Sequence, residues 1–314
     1  MFLAASFVIG TALLCVALPL LVYGTTLAAF GLPHVIAEMR YVYGRFSGRW
    51  SRGMLLCIAS ILAGIVLIRI LLWVDLLGMG VAKPLELGFV GLLIAITLPT
   101  LWRHSFRAAA LGFCLLIGVA WGTSTAPVLT ALSLAVLHNF TPIGFFFEAI
   151  PKPKQRRAML LCLVVFIGVP LLIASGMPYL ILQKLGLTSP ESTLIELGSL
   201  SRHIGVYVPK QWHMEQFALP LFSALVFAQC MHYGAVIHLL PRLQPTDRRT
   251  HRRWGILLLV IGGATLAAFS HDFFLSRRAY GLFAAVHAWI EVPILLAALL
   301  GPVQGNLSLR PAAT

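Results

Sequence analysis

Five histidines lie in or at the ends of the apolar stretches of this 314-residue chain: His34, His138, His232, His238 and His287. Burying an ionisable side chain in a membrane is costly, so each is a functional candidate. Glu38 follows His34 by four residues and Glu291 follows His287 by four, which places each pair on one helical face. Neutral imidazoles bind iron, copper or zinc, and carboxylates orient such rings by accepting the second N–H. The pattern predicts that the five histidines hold a metal, with Glu38 and Glu291 orienting them.

The spacing of His232 and His238 limits how both could reach one ion. Six residues turn a regular helix by about 600°, which leaves the two side chains about 120° apart around the helix axis. A π-bulge near Gly234 would change that angle. His232 is therefore the preferred ligand of the two. His238 is expected either in the layer of residues that surrounds the ligands or at the cytoplasmic mouth of the site.

The composition determines the kind of element that must position these side chains. The chain is 59% hydrophobic and 11% charged with a mean hydropathy of +0.92, whereas about a quarter of the residues of a soluble domain are charged. This excludes a soluble globule. Apolar runs of about 18 residues or more recur along the chain, and each can cross the hydrocarbon core as a helix. We therefore expect an all-α, polytopic transmembrane helical bundle that forms a single domain over residues 1–314.

Hydropathy and chain breakers predict eight or nine spans. Nine are obtained if the chain reverses near Gly122 to Pro127: 4–32, 54–76, 85–102, 108–121, 126–147, 158–175, 216–241, 254–271 and 279–300. With nine spans, most of the 23 basic residues fall in loops on one side, as the positive-inside rule requires of the cytoplasmic side. The net charge of +13 is thus assigned to membrane orientation, and no nucleic acid partner is expected. We expect an integral protein of a bacterial inner membrane with its C-terminus in the cytoplasm.

The connection 176–215 is predicted to be an outer loop. Ser189 and Pro190 are typical of a helix start, and a short helix from there would lay Leu194 to Leu200 on the membrane surface; an ordinary loop is the alternative. Arg69 is expected to reach the outer interface or to pair with Asp75. Other polar side chains are assigned incidental or interfacial positions, among them Glu148, His203, His213 and His271.

The histidine segments also resemble a known family. Gly31, Leu32, Pro33 and His34, followed by the Glu38 carboxylate, are similar to the first motif of the Brp/Blh family of membrane β-carotene dioxygenases. The segments around His138, His232 and His287 resemble later motifs of that family in the same order. The chain departs from it where Glu38 and Glu291 stand for aspartates and where five residues separate His232 from His238.

The resemblance implies a non-haem Fe(II) held by histidines, molecular oxygen as co-substrate and a lipophilic carotenoid or isoprenoid reached from the membrane lipid. The expected function is that of an iron-dependent carotenoid dioxygenase that forms retinal from β-carotene. Two alternatives remain open at this point. One is a histidine-ligated haem protein or haem-modifying membrane enzyme, and the other is a transporter or scaffold with buried histidines.

Overall fold

A computed structural model describes residues 2–46, 48, 50–209, 212–213, 215–243 and 247–298. Over these residues the chain is helical and forms no strand, so the predicted all-α bundle is confirmed. Nine helices within them are long and apolar enough to cross a membrane, as an integral membrane protein requires. They are Pro19–Phe46, Arg52–Trp73, Met79–His104, Phe106–Thr125, Pro127–Ala149, Lys152–Ala174, Gln216–Leu243, Arg248–His271 and Phe273–Ala298. The C-terminal segment, for which a cytoplasmic position is predicted, lies outside the described residues.

We number the α-helices in chain order. They are α1 (Phe2–Ala17), α2 (Pro19–Phe46), α3 (Arg52–Trp73), α4 (Met79–His104), α5 (Phe106–Thr125), α6 (Pro127–His138), α7 (Thr141–Ala149), α8 (Lys152–Leu163), α9 (Val169–Ala174), α10 (Met177–Lys184), α11 (Leu200–Tyr207), α12 (Glu215–Gly234), α13 (Arg248–His271) and α14 (Phe273–Ala298). Two of the long spans include π-helical turns, Val164–Gly168 between α8 and α9 and Ala235–Leu239 after α12. The second is followed by a 3₁₀ turn, Leu240–Leu243.

Polar side chains set several helix starts. The side chains of Ser51, Ser105 and Asp247 each accept a hydrogen bond from the backbone N–H three residues on, which satisfies one of the free N–H groups at the starts of α3, α5 and α13. The predicted interruption before Pro127 is confirmed, because α5 ends at Thr125 and α6 begins at Pro127. Gly122 lies directly against Thr130, whereas an unbroken helix would hold residues eight apart about 12 Å from each other. The chain therefore turns back here.

The first predicted span, 4–32, is wrong in its bounds. The chain bends at Leu18, and α2 then runs from Pro19 through Pro33 to Phe46. A proline inside a helix removes one backbone hydrogen bond but does not have to end the helix when neighbouring helices hold it in place. His34 therefore lies near the middle of a membrane-length helix. The position near the cytoplasmic end that the sequence had indicated is wrong.

Three helices form the centre of the bundle. Buried residues make up 72% of the apolar stretch in Gln216–Leu243, 56% in Pro19–Phe46 and 50% in Phe273–Ala298, against 11% in Arg248–His271. The inner helices α2, α12 and α14 carry His34, His232 and His287. The burial pattern thus brings three of the candidate ligands to the middle of the fold.

Around Ser189 the 176–215 connection is an irregular loop, the second of the two predicted alternatives, and the surface helix does not form. No helix begins at Ser189; the helical parts of this connection are instead α10, which precedes it, and α11, which follows it. Between them the chain is irregular, and Glu191 accepts a hydrogen bond from the backbone N–H of Leu200. Leu197 is buried against Gly24 of α2. Leu197 and Leu200 therefore pack into the core, whereas Leu194 is exposed.

A buried carboxylate, Glu86, ties α3, α4 and α14 together. Its Oε1 accepts hydrogen bonds from Nε of Arg69 at 3.0 Å and from the indole N–H of Trp289 at 2.9 Å, and its Oε2 accepts from Nζ of Lys83 at 2.9 Å. Arg69 also donates to the carbonyl of Gly281 at 2.7 Å. Arg69 is thus the partner of Glu86 and not of Asp75. We call these five residues the Glu86 network.

Candidate metal centre

Four histidines from four separate helices meet inside the bundle. His34 on α2, His138 at the end of α6, His232 on α12 and His287 on α14 each offer one ring nitrogen, and these nitrogens all lie within 4.8 Å of one another. At a metal–nitrogen distance of about 2.1 Å, ligands on opposite sides of one ion are about 4.2 Å apart. The group, which we call the four-histidine cluster, therefore has the dimensions of a single metal site.

Two of the rings are oriented by hydrogen bonds on their Nδ1 side. Nδ1 of His34 lies 3.1 Å from the carbonyl oxygen of Phe30, one helical turn earlier. Nδ1 of His138 contacts Oε2 of Glu291. When each Nδ1–H donates to its oxygen, Nε2 is left with a lone pair, which is the form of imidazole that binds a metal.

The ring nitrogens that face the centre of the cluster lie close together. The imidazole rings themselves are the only N–H donors between them in the described structure. Nε2 of His34 is 3.1 Å from Nε2 of His287. The ring of His138 lies 4.6 Å, centroid to centroid, from those of His232 and His287. Tyr233 stacks on His34 at 4.1 Å with an interplanar angle of 27°. The stacked ring fixes the plane of the His34 imidazole, and the Nδ1 contact with the Phe30 carbonyl directs Nε2 to the cluster.

The buried polar atoms of the cluster are short of partners. Both carboxylate oxygens of Glu38, Nε2 of His138, both ring nitrogens of His232 and Nδ1 of His287 have no hydrogen-bond partner. His34, His232, His287 and Glu38 are at most 2% exposed, so solvent does not satisfy them. Leaving a buried polar group unpaired costs about 1–3 kcal/mol. Each imidazole can give one ion a single ring nitrogen, so a cation at the centre would take up Nε2 of His138, one nitrogen of His232 and an oxygen of Glu38. The residues therefore fit a bound metal ion.

The carboxylates pair across helices and not along them. Glu291, expected to orient His287, instead contacts His138, while Glu38 does not hydrogen-bond the neighbouring His34. Oε2 of Glu38 lies 3.5 Å from Nε2 of His232 and 4.0 Å from Nε2 of His287. Glu291 thus has the predicted orienting position, although for a different ring. Glu38 lies beside the ring nitrogens, where its carboxylate can act as a further ligand of a metal ion.

His238 lies apart from the cluster. Its side chain is exposed and lines a different cavity, between α2 and α13. The π-helical segment Ala235–Leu239 is the distortion considered for this helix, and it begins directly after Gly234. The π turn nevertheless leaves His238 outside the group formed by the other four histidines.

Several functional contacts were not predicted from the sequence. Thr141 donates a hydrogen bond to Oε1 of Glu291 at 3.0 Å, and the Tyr233 stack and the Phe30 carbonyl were likewise missed. Thr141 and Tyr233 lie within three residues of a candidate histidine, which is the only signal the sequence contains for them. His203, predicted to be incidental, is fully buried and donates from Nε2 to the Leu197 carbonyl at 2.9 Å.

An apolar cavity of about 550 Å³ adjoins the cluster. Most of its wall is aliphatic or aromatic and comes from α4, α5, α7 and α14, and it includes Leu111, Leu115, Phe147 and Leu296. The polar side chains in its wall are those of His138, Thr141 and Glu291, together with the indole of Trp289. Ligand cavities typically measure about 300–1,000 Å³ and are mostly apolar with a few polar groups. The cavity can therefore hold an apolar molecule against the His138 side of the cluster.

No protein-family model, curated protein or solved structure matches this chain.

Proposed function

We propose that this chain is a membrane-embedded, iron-dependent dioxygenase that cleaves a carotenoid or a related isoprenoid. The observation that carries the proposal is that two residues link the cluster to the cavity. His138 is a member of the four-histidine cluster and contacts Glu291, and both side chains line the wall of the apolar cavity. A reactive ion in the cluster would face whatever fills that cavity.

The donor set supports iron. Four neutral imidazoles leave the charge of a divalent ion largely uncompensated, and such nitrogen-rich sites suit iron, copper and zinc. Iron and copper both support oxygen chemistry, and the resemblance of the Gly31–Glu38 segment to the Brp/Blh family favours iron between them. Bound Fe(II) would supply that chemistry here. Glu38, with both oxygens unpaired, adds one negative charge beside His232 and His287.

The geometry favours a bare ion over haem. An axially ligated haem needs two histidines on opposite faces of a wide planar ring. Here four ring nitrogens converge within 4.8 Å of one another, so the remaining two imidazoles would occupy the plane of the porphyrin. A haem therefore does not fit between these four rings.

The residues of this chain would prepare the site for an apolar substrate. Glu291 and the Phe30 carbonyl hold His138 and His34 in the tautomer that directs Nε2 to the ion. The cavity wall excludes water and aligns an extended hydrocarbon beside His138. Adding both atoms of molecular oxygen across one C=C bond yields two carbonyl groups and needs no other reductant. No protein side chain has to act as a nucleophile.

The resemblance of the Gly31–Glu38 segment to the Brp/Blh family supports a carotenoid, with β-carotene as the first substrate to test and retinal as the product. The excess of basic residues in the loops predicted on one side of the membrane supports placing that side in the cytoplasm.

The test is production of the chain in bacteria that make β-carotene, followed by chromatography of extracted retinoids and metal analysis of the purified protein. We expect loss of carotene, formation of retinal and about one iron per chain. His138→Ala should abolish both retinal formation and iron binding, while His238→Ala, outside the cluster, should retain them.

Two results would contradict the proposal separately. Unchanged carotene in the presence of folded, iron-loaded protein would refute the substrate. A folded protein that takes up no stoichiometric iron under anaerobic Fe(II) loading would refute the metal and would favour a scaffold or transporter.

A further inference from the structure

A second cavity, of about 430 Å³, lies between α2, α13 and the segment that follows α12. None of the four clustered histidines lines it. We call it the α2–α13 groove. The function proposed above does not use it, so its occupant is independent of the metal.

The walls of the groove are apolar and extended. On α2 they include Ala29, Pro33 and Ala37, spaced by four residues along one helical face. From Ala29 to Arg40 at the end of the wall the helix rises about 16 Å, and half of a hydrocarbon core of about 30 Å is about 15 Å. The groove therefore matches the depth of one lipid leaflet.

The floor of the groove on α13 is smooth. Gly255 and Gly263 both line it, and a Cβ atom added at either would meet no atom within 4 Å. Gly262 lies so close to the Ala29 carbonyl that only glycine fits there without a shift. The helices thus touch at Gly262 and leave open space beside Gly255 and Gly263, where a hydrocarbon chain can lie.

The mouth of the groove has one positive charge, on Arg40, beside two imidazole rings that can donate hydrogen bonds. Arg40, His238 and His251 line this end, and the guanidinium of Arg40 sits 4.3 Å from the ring centroid of Trp254. No carboxylate among the described residues lines the groove, and none of them pairs with Arg40. Arg40 is therefore positioned by an aromatic ring, and within the described part of the chain no carboxylate occupies the donors that an anion would use.

We propose that the α2–α13 groove binds one anionic phospholipid, with its phosphate at Arg40, His238 and His251 and one acyl chain along Gly255 and Gly263. Basic pockets between membrane helices are suited to anionic lipid headgroups. The charge at the mouth selects a phosphate, and the leaflet-deep apolar wall selects a hydrocarbon chain. A phospholipid joins both in one molecule, while a neutral isoprenoid leaves Arg40 without an anion.

The test is native mass spectrometry of the full chain in detergent, titrated with dioleoyl phosphatidylglycerol, dioleoyl phosphatidylcholine or inorganic phosphate. We expect the first tightly bound lipid to be phosphatidylglycerol, in preference to phosphatidylcholine, and inorganic phosphate not to compete with it. Equal binding of the two lipids would overturn the proposal. So would inorganic phosphate that competes at a concentration equal to that of the lipid, because the hydrocarbon chain would then contribute no affinity.

Two variants separate the headgroup from the chain. Arg40→Gln should weaken phosphatidylglycerol binding about fivefold, the effect of losing one basic residue near the membrane surface, and leave phosphatidylcholine unchanged. Gly263→Leu fills the groove and should weaken the first binding event for phosphatidylglycerol without affecting the charge at the mouth.

The matched controls are Arg103→Gln at the end of α4 and Gly118→Leu on α5, an exposed glycine at which an added Cβ would also meet no atom within 4 Å. Both should bind phosphatidylglycerol like the wild type. Unchanged lipid preference in both Arg40→Gln and Gly263→Leu would overturn the assignment of the groove. If Arg40→Gln fails to fold, Gly263→Leu against Gly118→Leu decides it alone.

Discussion

The four-histidine cluster and the Glu86 network are both polar groups buried in an apolar bundle, and both depend on α14. In the Glu86 network each carboxylate oxygen has a donor within the protein: Arg69 and Trp289 at Oε1 and Lys83 at Oε2. In the four-histidine cluster both oxygens of Glu38 and several ring nitrogens have none.

This difference separates a structural polar group from a binding site. A network whose members satisfy one another stabilises the fold and has no atoms left for a ligand. A cluster with unpaired lone pairs costs stability until something binds it. The two regions should therefore respond in opposite ways to mutation, one through folding and the other through metal content.

The largest effect is expected from Glu86→Ala. Removing the carboxylate leaves Arg69 and Lys83 without their counter-charge, and breaking a buried ion pair costs about 3–5 kcal/mol. We expect about 3 kcal/mol because the side chains of Arg69 and Lys83 are 24% and 19% exposed. Unfolding in detergent measures it, with the exposed Glu196→Ala as control. Wild-type stability in Glu86→Ala would show that the network is not structural.

The next effect concerns the cluster itself. His34→Ala removes one proposed ligand, and the affinity for Fe(II) should fall by more than about 100-fold, above the range found for residues that only orient a ligand. The metal-free protein should stay folded, in contrast to Glu86→Ala. Iron per chain and melting temperature measured together test this contrast, with His238→Ala as the matched histidine control. Full iron retention in His34→Ala would remove it from the site.

A smaller loss is expected from Glu291→Gln, which keeps the shape of the side chain and removes its charge. The amide holds His138 less strongly, and changes of this kind lower metal affinity about 10–100-fold. Thr141→Val, which removes a weaker neutral hydrogen bond to Glu291, should cost less than Glu291→Gln. Competitive titration with a chelator measures both. A larger loss in Thr141→Val would mean that Glu291 does not act through His138.

The smallest effect is a pH dependence outside the membrane spans. Burial lowers the pKa of His203 on α11 below its usual value, with further lowering by Arg277 and Arg202 and opposing contributions from the Leu197 carbonyl and Glu191. The unfolded chain therefore binds more protons at this residue than the folded chain. Its contribution to stability is present above the ordinary histidine pKa of about 6.5 and is lost as pH falls towards the lowered pKa.

Melting temperatures at about pH 7 and pH 5 measure this change. The wild type should lose more stability on acidification than His203→Gln, whose amide nitrogen can replace the donor to Leu197. His271→Gln, at an exposed histidine, should behave like the wild type. Equal losses in the wild type and His203→Gln would show that His203 is not buried in its neutral form.

Much of the architecture could be predicted from the sequence, because hydropathy and helix-breaking residues act locally. The nine spans and the break before Pro127 follow from runs of apolar residues and from proline and glycine. The bounds of the first span were wrong because Pro33 does not end a helix that is packed on both sides. Of the two alternatives for the segment after Ser189, the structure has the ordinary loop and not the surface helix, and this loop packs Leu197 into the core.

The candidate site was predictable in part. Their position in apolar segments identified His34, His138, His232 and His287 as candidate ligands, and wrongly His238 with them. Helical spacing then paired each carboxylate with the histidine on its own helix. In the structure Glu291 contacts His138 and Glu38 lies beside His232 and His287. The partner of Arg69 was missed for the same reason, since Glu86 lies on another helix.

The sequence by itself thus determined that the chain is a bundle of apolar helices and that histidines lie within them, because both properties depend on residues close together along the chain. Only the tertiary structure decided which side chains share a point, that His238 faces the α2–α13 groove, and that the Glu86 network is satisfied while the four-histidine cluster is not. These depend on the rotation and depth of each helix against its neighbours, which packing determines and helical periodicity does not.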